Sequence, residues 1–188
     1  MEAARKIDPR YTYADYCGWD DSERWELIDG VAYALASPSR WHQTVSKRFF
    51  RQLDSFLDGK HCEAFYAPFS VRLNADADDN TVVEPDILVV CDESKLNDGK
   101  GVIGAPDFIV EVLSPSTAAH DLVIKFRLYQ RSGVREYWTV DPERKTTAAH
   151  VLQNGKYNTR FFNELDSDAP VEVLEGCVIN LSKVFEGL

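Results

Sequence analysis

Two short apolar runs carry acids where a core strand has little room for them: Val82-Val83-Glu84-Pro85-Asp86-Ile87-Leu88-Val89-Val90 and Phe108-Ile109-Val110-Glu111-Val112-Leu113-Ser114. Continuous β-branched and aliphatic stretches bounded by Pro, Gly and Ser predict strands covered on both faces. A carboxylate inside such a strand loses its water and must recover several kcal/mol elsewhere. A cation is therefore expected beside Asp86 and Glu111. If the two strands are neighbours, their carboxylates converge, and like charges at close range either raise one pKa or bind a metal ion. Oxygen donors of this kind suit hard divalent cations.

The rest of the chain supplies elements to cover those strands. Thr12 with Asp15 predicts a short capped helix over 13–19. Trp25-Glu26-Leu27-Ile28, then Asp29-Gly30, then Val31-Ala32-Tyr33-Ala34-Leu35 predicts a hairpin, because Asp-Gly accepts the positive φ angles of a two-residue turn; Glu26 falls just before it. After Ser39, apolar residues at Trp41, Val45, Phe49, Leu53, Phe56 and Leu57 predict a long amphipathic helix that ends before Gly59. Alternation from Phe65 to Leu73 predicts one strand, and the acidic stretch 74–80 a mobile, solvated turn. Leu122, Val123, Phe126 and Leu128 predict a second helix within 117–132, ended by Gly133, and 134–140 a further core strand stopped at Asp141-Pro142. A last hairpin turns at Asn154-Gly155, and 171–188 adds short strands and a helical turn. With 188 residues and 44% hydrophobic content, one core and one domain (1–188) are expected.

Several chemistries are not supported. No stretch approaches the roughly 20 apolar residues that span a bilayer, and the N-terminus lacks a signal-peptide core, so a soluble, cytoplasmic protein without a membrane partner is expected. Cys17, Cys62, Cys91 and Cys177 form no CxxC pair and are read as reduced thiols with no zinc signature. HExxH, GxSxG and Walker motifs are absent, and Thr81 and Ile87 occupy the glycine and glutamate positions that a calcium loop at Asp76 would need. His42, in the first turn of the long helix, reads as a surface or capping residue. Asp86 alone could be an edge-strand acid and Glu111 alone the partner of an arginine such as Arg127, but together they equip the chain to hold a divalent metal against a phosphate. Asp121, Lys125 and Tyr129 form one polar stripe on the second helix, which makes Lys125 the candidate cation. A glycosidase built on two carboxylates would leave that lysine idle.

These segments, together with Gly104-Ala105-Pro106-Asp107, Ser114-Pro115-Ser116-Thr117 and Gly133-Val134-Arg135-Glu136-Tyr137-Trp138-Thr139-Val140-Asp141-Pro142, resemble those of a large bacterial family of restriction-endonuclease-like proteins within the PD-(D/E)XK nuclease superfamily. The likeness runs from about Tyr11 to Phe185. It implies an α/β fold with a mixed β-sheet flanked by helices, to which N-terminal and C-terminal hairpins are added. It also implies a Mg²⁺ or Mn²⁺ site and hydrolysis of phosphodiester bonds in DNA. Matched residue by residue, Asp86 and Glu111 are the implied metal ligands, Glu26 completes the shell, and Lys125 orients or activates the attacking water. The sequence departs from the superfamily pattern in two places. Leu113 stands where the lysine belongs, so Lys125 replaces it from the helix, and the leading helix carries no glutamate, so Glu26 reaches in from the hairpin. The net charge of −10 limits DNA binding to weak or local contacts. It also keeps open a catalytically silent binding or assembly module; a homodimer is compatible with either.

Overall fold

The computed structural model describes residues 10–19, 23–76, 78–96, 99, 101–166 and 168–188. Thr12 and Asp15 close a reciprocal capping box around α1 (Tyr13–Tyr16). Asp29 and Gly30, at φ 51° and 77°, turn β1 (Trp25–Ile28) into β2 (Val31–Ala34). Ser39 Oγ accepts the His42 N–H at the start of α2 (Arg40–Leu57), whose buried stripe is Val45, Phe49, Leu53 and Leu57.

Prolines divide two of the expected strands. The 65–73 stretch breaks at Ala67-Pro68 into β3 (Glu63–Tyr66) and β4 (Ser70–Arg72). The 82–90 run breaks at Glu84-Pro85-Asp86 into β5 (Val82–Val83) and β6 (Ile87–Val90). Proline has no N–H for a ladder, and at each break the chain passes from one sheet to another. β4 and β5 join β7 (Gly101–Ile103) in a five-stranded sheet ordered β2-β1-β5-β4-β7. β3 and β6 join β8 (Phe108–Val112), β9 (Glu136–Asp141), β10 (Thr146–Gln153) and β11 (Lys156–Asn163) in a six-stranded sheet ordered β11-β10-β9-β8-β6-β3. β8 and β9 run parallel and the other pairs of this sheet antiparallel, so it is mixed. Their connection carries a π-helical turn (His120–Lys125) and α3 (Phe126–Ser132), which ends at Gly133 with φ 84°. β12 (Ala169–Pro170), β13 (Val178–Ile179) and α4 (Leu181–Val184) complete the chain.

The six-stranded sheet is covered on both faces, as its apolar runs require. Ile87, Val89, Phe108, Val110, Val112, Trp138 and Val140 pack against the α2 stripe and against Ile179, Leu181 and Val184. Their alternates, Leu88, Val90, Ile109 and Tyr137, pack against Leu128 and Tyr129 of α3 and against Val71, Val83 and Val102 of the second sheet. Trp138 makes T-shaped contacts with Phe49 and Phe108 at 5.7 and 5.6 Å. Each fully buried aliphatic side chain contributes about 2 kcal/mol, and that sum carries the cost of the acids on the same strands.

Two expectations change. Cys62 and Cys91 are joined in a disulfide rather than standing as separate thiols, because the β3–β6 register that pairs Glu63 with Val90 sets them opposite one another one step further on. The free thiols are Cys17, exposed, and Cys177, buried. The acidic turn is tied down: Arg72 Nε donates to Asp79 at 2.6 Å, and Asp76 Oδ1 accepts the N–H groups of Asp78 and Asp79. Among the described residues no helix is long and apolar enough to cross a membrane.

Candidate active site

The antiparallel register of β6 and β8, Ile87 with Val110 and Leu88 with Ile109, sets Asp86 directly opposite Glu111. The Val112 N–H donates to Asp86 Oδ2 at 2.8 Å, and the Asp86 N–H reaches Glu111 Oε2 at 3.5 Å. Glu111 shares the face of Ile109, so it turns towards the π-helical turn and α3. There Lys125, 3% exposed, sets its Nζ 2.8 Å from Glu111 Oε1, 2.8 Å from Glu26 Oε1 and 3.7 Å from Asp121 Oδ1. The Tyr129 hydroxyl donates to Glu111 Oε1 at 2.8 Å, so Lys125 and Tyr129, not Arg127, are the partners of this acid. Glu26, 0% exposed, also accepts the Glu84 N–H at 2.9 Å. The wide π-helical turn makes this possible: Asp121 and Lys125 face inward while Leu122, Val123 and Ile124 between them stay exposed. Asp121 and Lys125 are thus a buried pair, not the exposed helix pair their spacing suggests.

His42 corrects a second expectation. Its N–H caps on Ser39, but its ring turns inward, with Nε2 3.0 Å from Asp86 Oδ2. The signal was present in the sequence: His42 precedes Val45 and Phe49 by three and seven residues, which places it on the buried stripe of α2. His120, also unforeseen, lies with Nε2 3.6 Å from Glu26 Oε2. It sits one residue before Asp121, and only the widened turn brings it to Glu26.

Charge in this cluster is unbalanced. Glu26, Glu111 and Asp121 surround one ammonium group, and Asp86 adds a fourth acid beside Glu111. Burial disfavours the charge on Lys125, yet Glu111, Glu26 and Asp121 outweigh it and hold the lysine protonated well above its usual range. Burial would likewise raise Glu26, but Lys125, His120 and the Glu84 N–H bring it down to about 2. Glu111 is left with the deficit: burial, reinforced by Asp121, Asp86 and Glu26, pushes it well above the carboxylate range despite Lys125. Asp121 is raised for the same first reason. Glu26 Oε2, fully buried, has no hydrogen-bond partner among the described residues.

These features fit a hard divalent cation. The donors on Asp86 and Glu111 are oxygens, the local charge is negative, and both acids line an open cleft of about 1270 Å³ with His42, Ser114, Thr117 and Lys125. Two carboxylates with the balance from water and substrate phosphate is the usual way Mg²⁺ is held. A tighter group of three donors, His61, Cys62 and Cys91, lies elsewhere, but the disulfide occupies both of its sulfurs.

The comparisons with known proteins agree with this architecture. The chain is 34% identical over 125 residues to the uncharacterised protein slr1290 of Synechocystis sp. strain PCC 6803, a match covering 64% of this chain and 63% of that one. It is 27% identical over 134 residues to the uncharacterised protein sll1609 of the same organism, covering 69% and 74%. The crystal structure of "a putative nuclease belonging to DUF820" from Anabaena variabilis ATCC 29413 superposes with a TM-score of 0.76, covering 93% of this chain and 97% of that chain at 19% identity. That likeness is one of fold, and the fold is the restriction-endonuclease-like one expected from the sequence. The profile of the Uma2 family, described as "Putative restriction endonuclease", matches residues 11–182, and the chain belongs to that family.

Proposed function

We propose that this protein is a metal-dependent endonuclease that hydrolyses phosphodiester bonds in DNA. The observation that carries the reading is the buried assembly of Glu26, Glu111 and Asp121 around Lys125, with Asp86 beside it, on the wall of an open cleft. Asp86 and Glu111 would hold Mg²⁺ or Mn²⁺, and Glu26 Oε2 is the further oxygen that would complete the shell. When bound, the ion supplies Lewis-acid polarisation of the phosphate.

The remaining chemistry belongs to the chain. Lys125 stays protonated, so it acts as a donor and a fixed positive charge, not as a base. It orients the attacking water and stabilises the negative charge that develops on the phosphate oxygens. Glu26 and Tyr129 are positioning residues: Glu26 fixes the ammonium from behind, and Tyr129 fixes the Glu111 carboxylate. His42 holds Asp86 from the side of α2.

Incubation of the purified protein with supercoiled plasmid and with oligonucleotides tests the reading. Nicking is expected with Mg²⁺ or Mn²⁺, none with EDTA, and loss of activity in Asp86→Asn and Glu111→Gln. If the wild type cuts no DNA with either ion under conditions where it binds metal, the silent binding module is the better account.

A further inference from the structure

We infer that the substrate strand is unpaired where it crosses the site, held by a groove on α2 that carries bases on Tyr66 and Trp41 and phosphates on Arg40 and Lys47, with Arg51 next along the helix. The inference rests on the nuclease reading and names its substrate class. A second depression of about 620 Å³ adjoins the main cleft; the two share Gln43, Ala67 and Asp86, so one channel runs past the carboxylates. The α2 side of this channel is basic. Arg40, Gln43 and Lys47 line it and, with Arg51 one turn further along the helix, recur at intervals of three and four residues and are all exposed. Among the described residues, Arg40, Lys47 and Arg51 form no ion pair with a carboxylate. In a chain of net charge −10, a row of unneutralised cations beside the reactive acids is a local attraction for phosphates against a repelling background.

The same channel exposes aromatic rings on both sides of Asp86. Trp41, 44% exposed, lines the main cleft, with the Arg40 guanidinium 4.8 Å over its ring. Tyr66, 62% exposed at the end of the edge strand β3, lines the second depression and is braced by a T-shaped contact with Phe50 at 4.8 Å. Rings presented beside a narrow basic track are the equipment of single-strand binding, where each base stacks and each phosphate needs only a local cation. A duplex hides its base faces and asks for a broad basic surface, against which a net charge of −10 works. An apolar protein partner would have no use for the cations.

Fluorescence anisotropy with a labelled oligonucleotide of about 12 nucleotides, free or annealed to its complement, tests this in EDTA, where no cleavage interferes. The wild type should bind the free strand at least about tenfold more tightly than the duplex. Tyr66→Ala and Trp41→Ala should each weaken that binding by about tenfold, and Tyr66→Phe, which keeps the ring, should restore it. Lys47→Ala should reduce the salt slope by about 0.7, as loss of one phosphate contact does. Lys156→Ala, on β11, should change nothing. Equal binding of an unpaired RNA also supports the groove, since neither stacking nor phosphate contact reads the 2′-hydroxyl. Duplex binding as tight as single-strand binding, or full affinity in Tyr66→Ala, overturns it. Cleavage confined to duplex DNA and unaffected by Tyr66→Ala would overturn the groove and leave the nuclease standing. Tight single-strand binding without cleavage in any metal would do the reverse.

Discussion

Lys125, 3% exposed, meets Glu26, Glu111 and Asp121 on the wall of the cleft. Removing one member of a buried ion cluster leaves the others charged and unpaired, at about 3–5 kcal/mol. Lys125→Met should therefore lower unfolding stability in urea by about that much, in addition to abolishing cleavage. A loss of only some tenths of a kcal/mol, the value of an exposed helix pair, would show that the cluster is not the buried network described. The sequence made this centre legible for a physical reason: Asp86 and Glu111 each break an apolar run and such breaks need partners, while Lys125 stands with Asp121 and Tyr129 in one polar stripe of the second helix. His120 breaks no pattern, and only the π-helical turn gives it a role. Glu26 was legible only through resemblance, because an acid before a hairpin turn is commonplace; the structure buries it completely.

Among the elements, β9 holds a buried acid, Glu136, that does not line the cleft. Glu136 accepts the Trp138 Nε1–H at 2.6 Å and the Val173 N–H at 2.9 Å, tying β9 to the C-terminal segment. Burial pushes its carboxyl up to about 7, against those donors. The folded protein thus keeps a proton that the unfolded chain gives up above its ordinary value of 4.5. The stability this contributes is complete below about pH 4.5 and is lost as pH rises to about 7, by about 3 kcal/mol in all. His150 works in the opposite sense, since burial lowers its ring to about 4 and its contribution grows with pH from there to its ordinary 6.5. The wild type minus Glu136→Gln isolates the glutamate: that difference in urea stability should fall steadily from about pH 5 to about pH 7, and a level difference would contradict the assignment. Elements with a strong local signal, such as the Asp29-Gly30 and Asn154-Gly155 hairpins and the Ser39-capped α2, were readable from sequence. The passage of 65–73 and 82–90 between two sheets was not, because Pro68 and Pro85 announce a break but not where the chain goes next. The Cys62–Cys91 bond depends on the β3–β6 register, which no local pattern encodes.

At the scale of the whole molecule, a chain of net charge −10 gathers Glu26, Glu111 and Asp121 around Lys125 and sets Arg40 and Lys47 along the depression beside them. The six-stranded sheet supplies Asp86 and Glu111 at the opening between β6 and β8, the smaller sheet supplies Glu26, and the crossover to β9 supplies Lys125. Separate layers thus meet at one charge-deficient pocket, whose negative excess is the reason to expect a divalent cation there. Calorimetric titration of Mn²⁺ into the wild type, Asp86→Asn and Glu111→Gln, each checked for its fold by circular dichroism, tests this most directly. The wild type should bind Mn²⁺, and both folded variants should lose most of the affinity. Equal binding by all three proteins, or no binding by the wild type, would contradict the metal site on which the account depends.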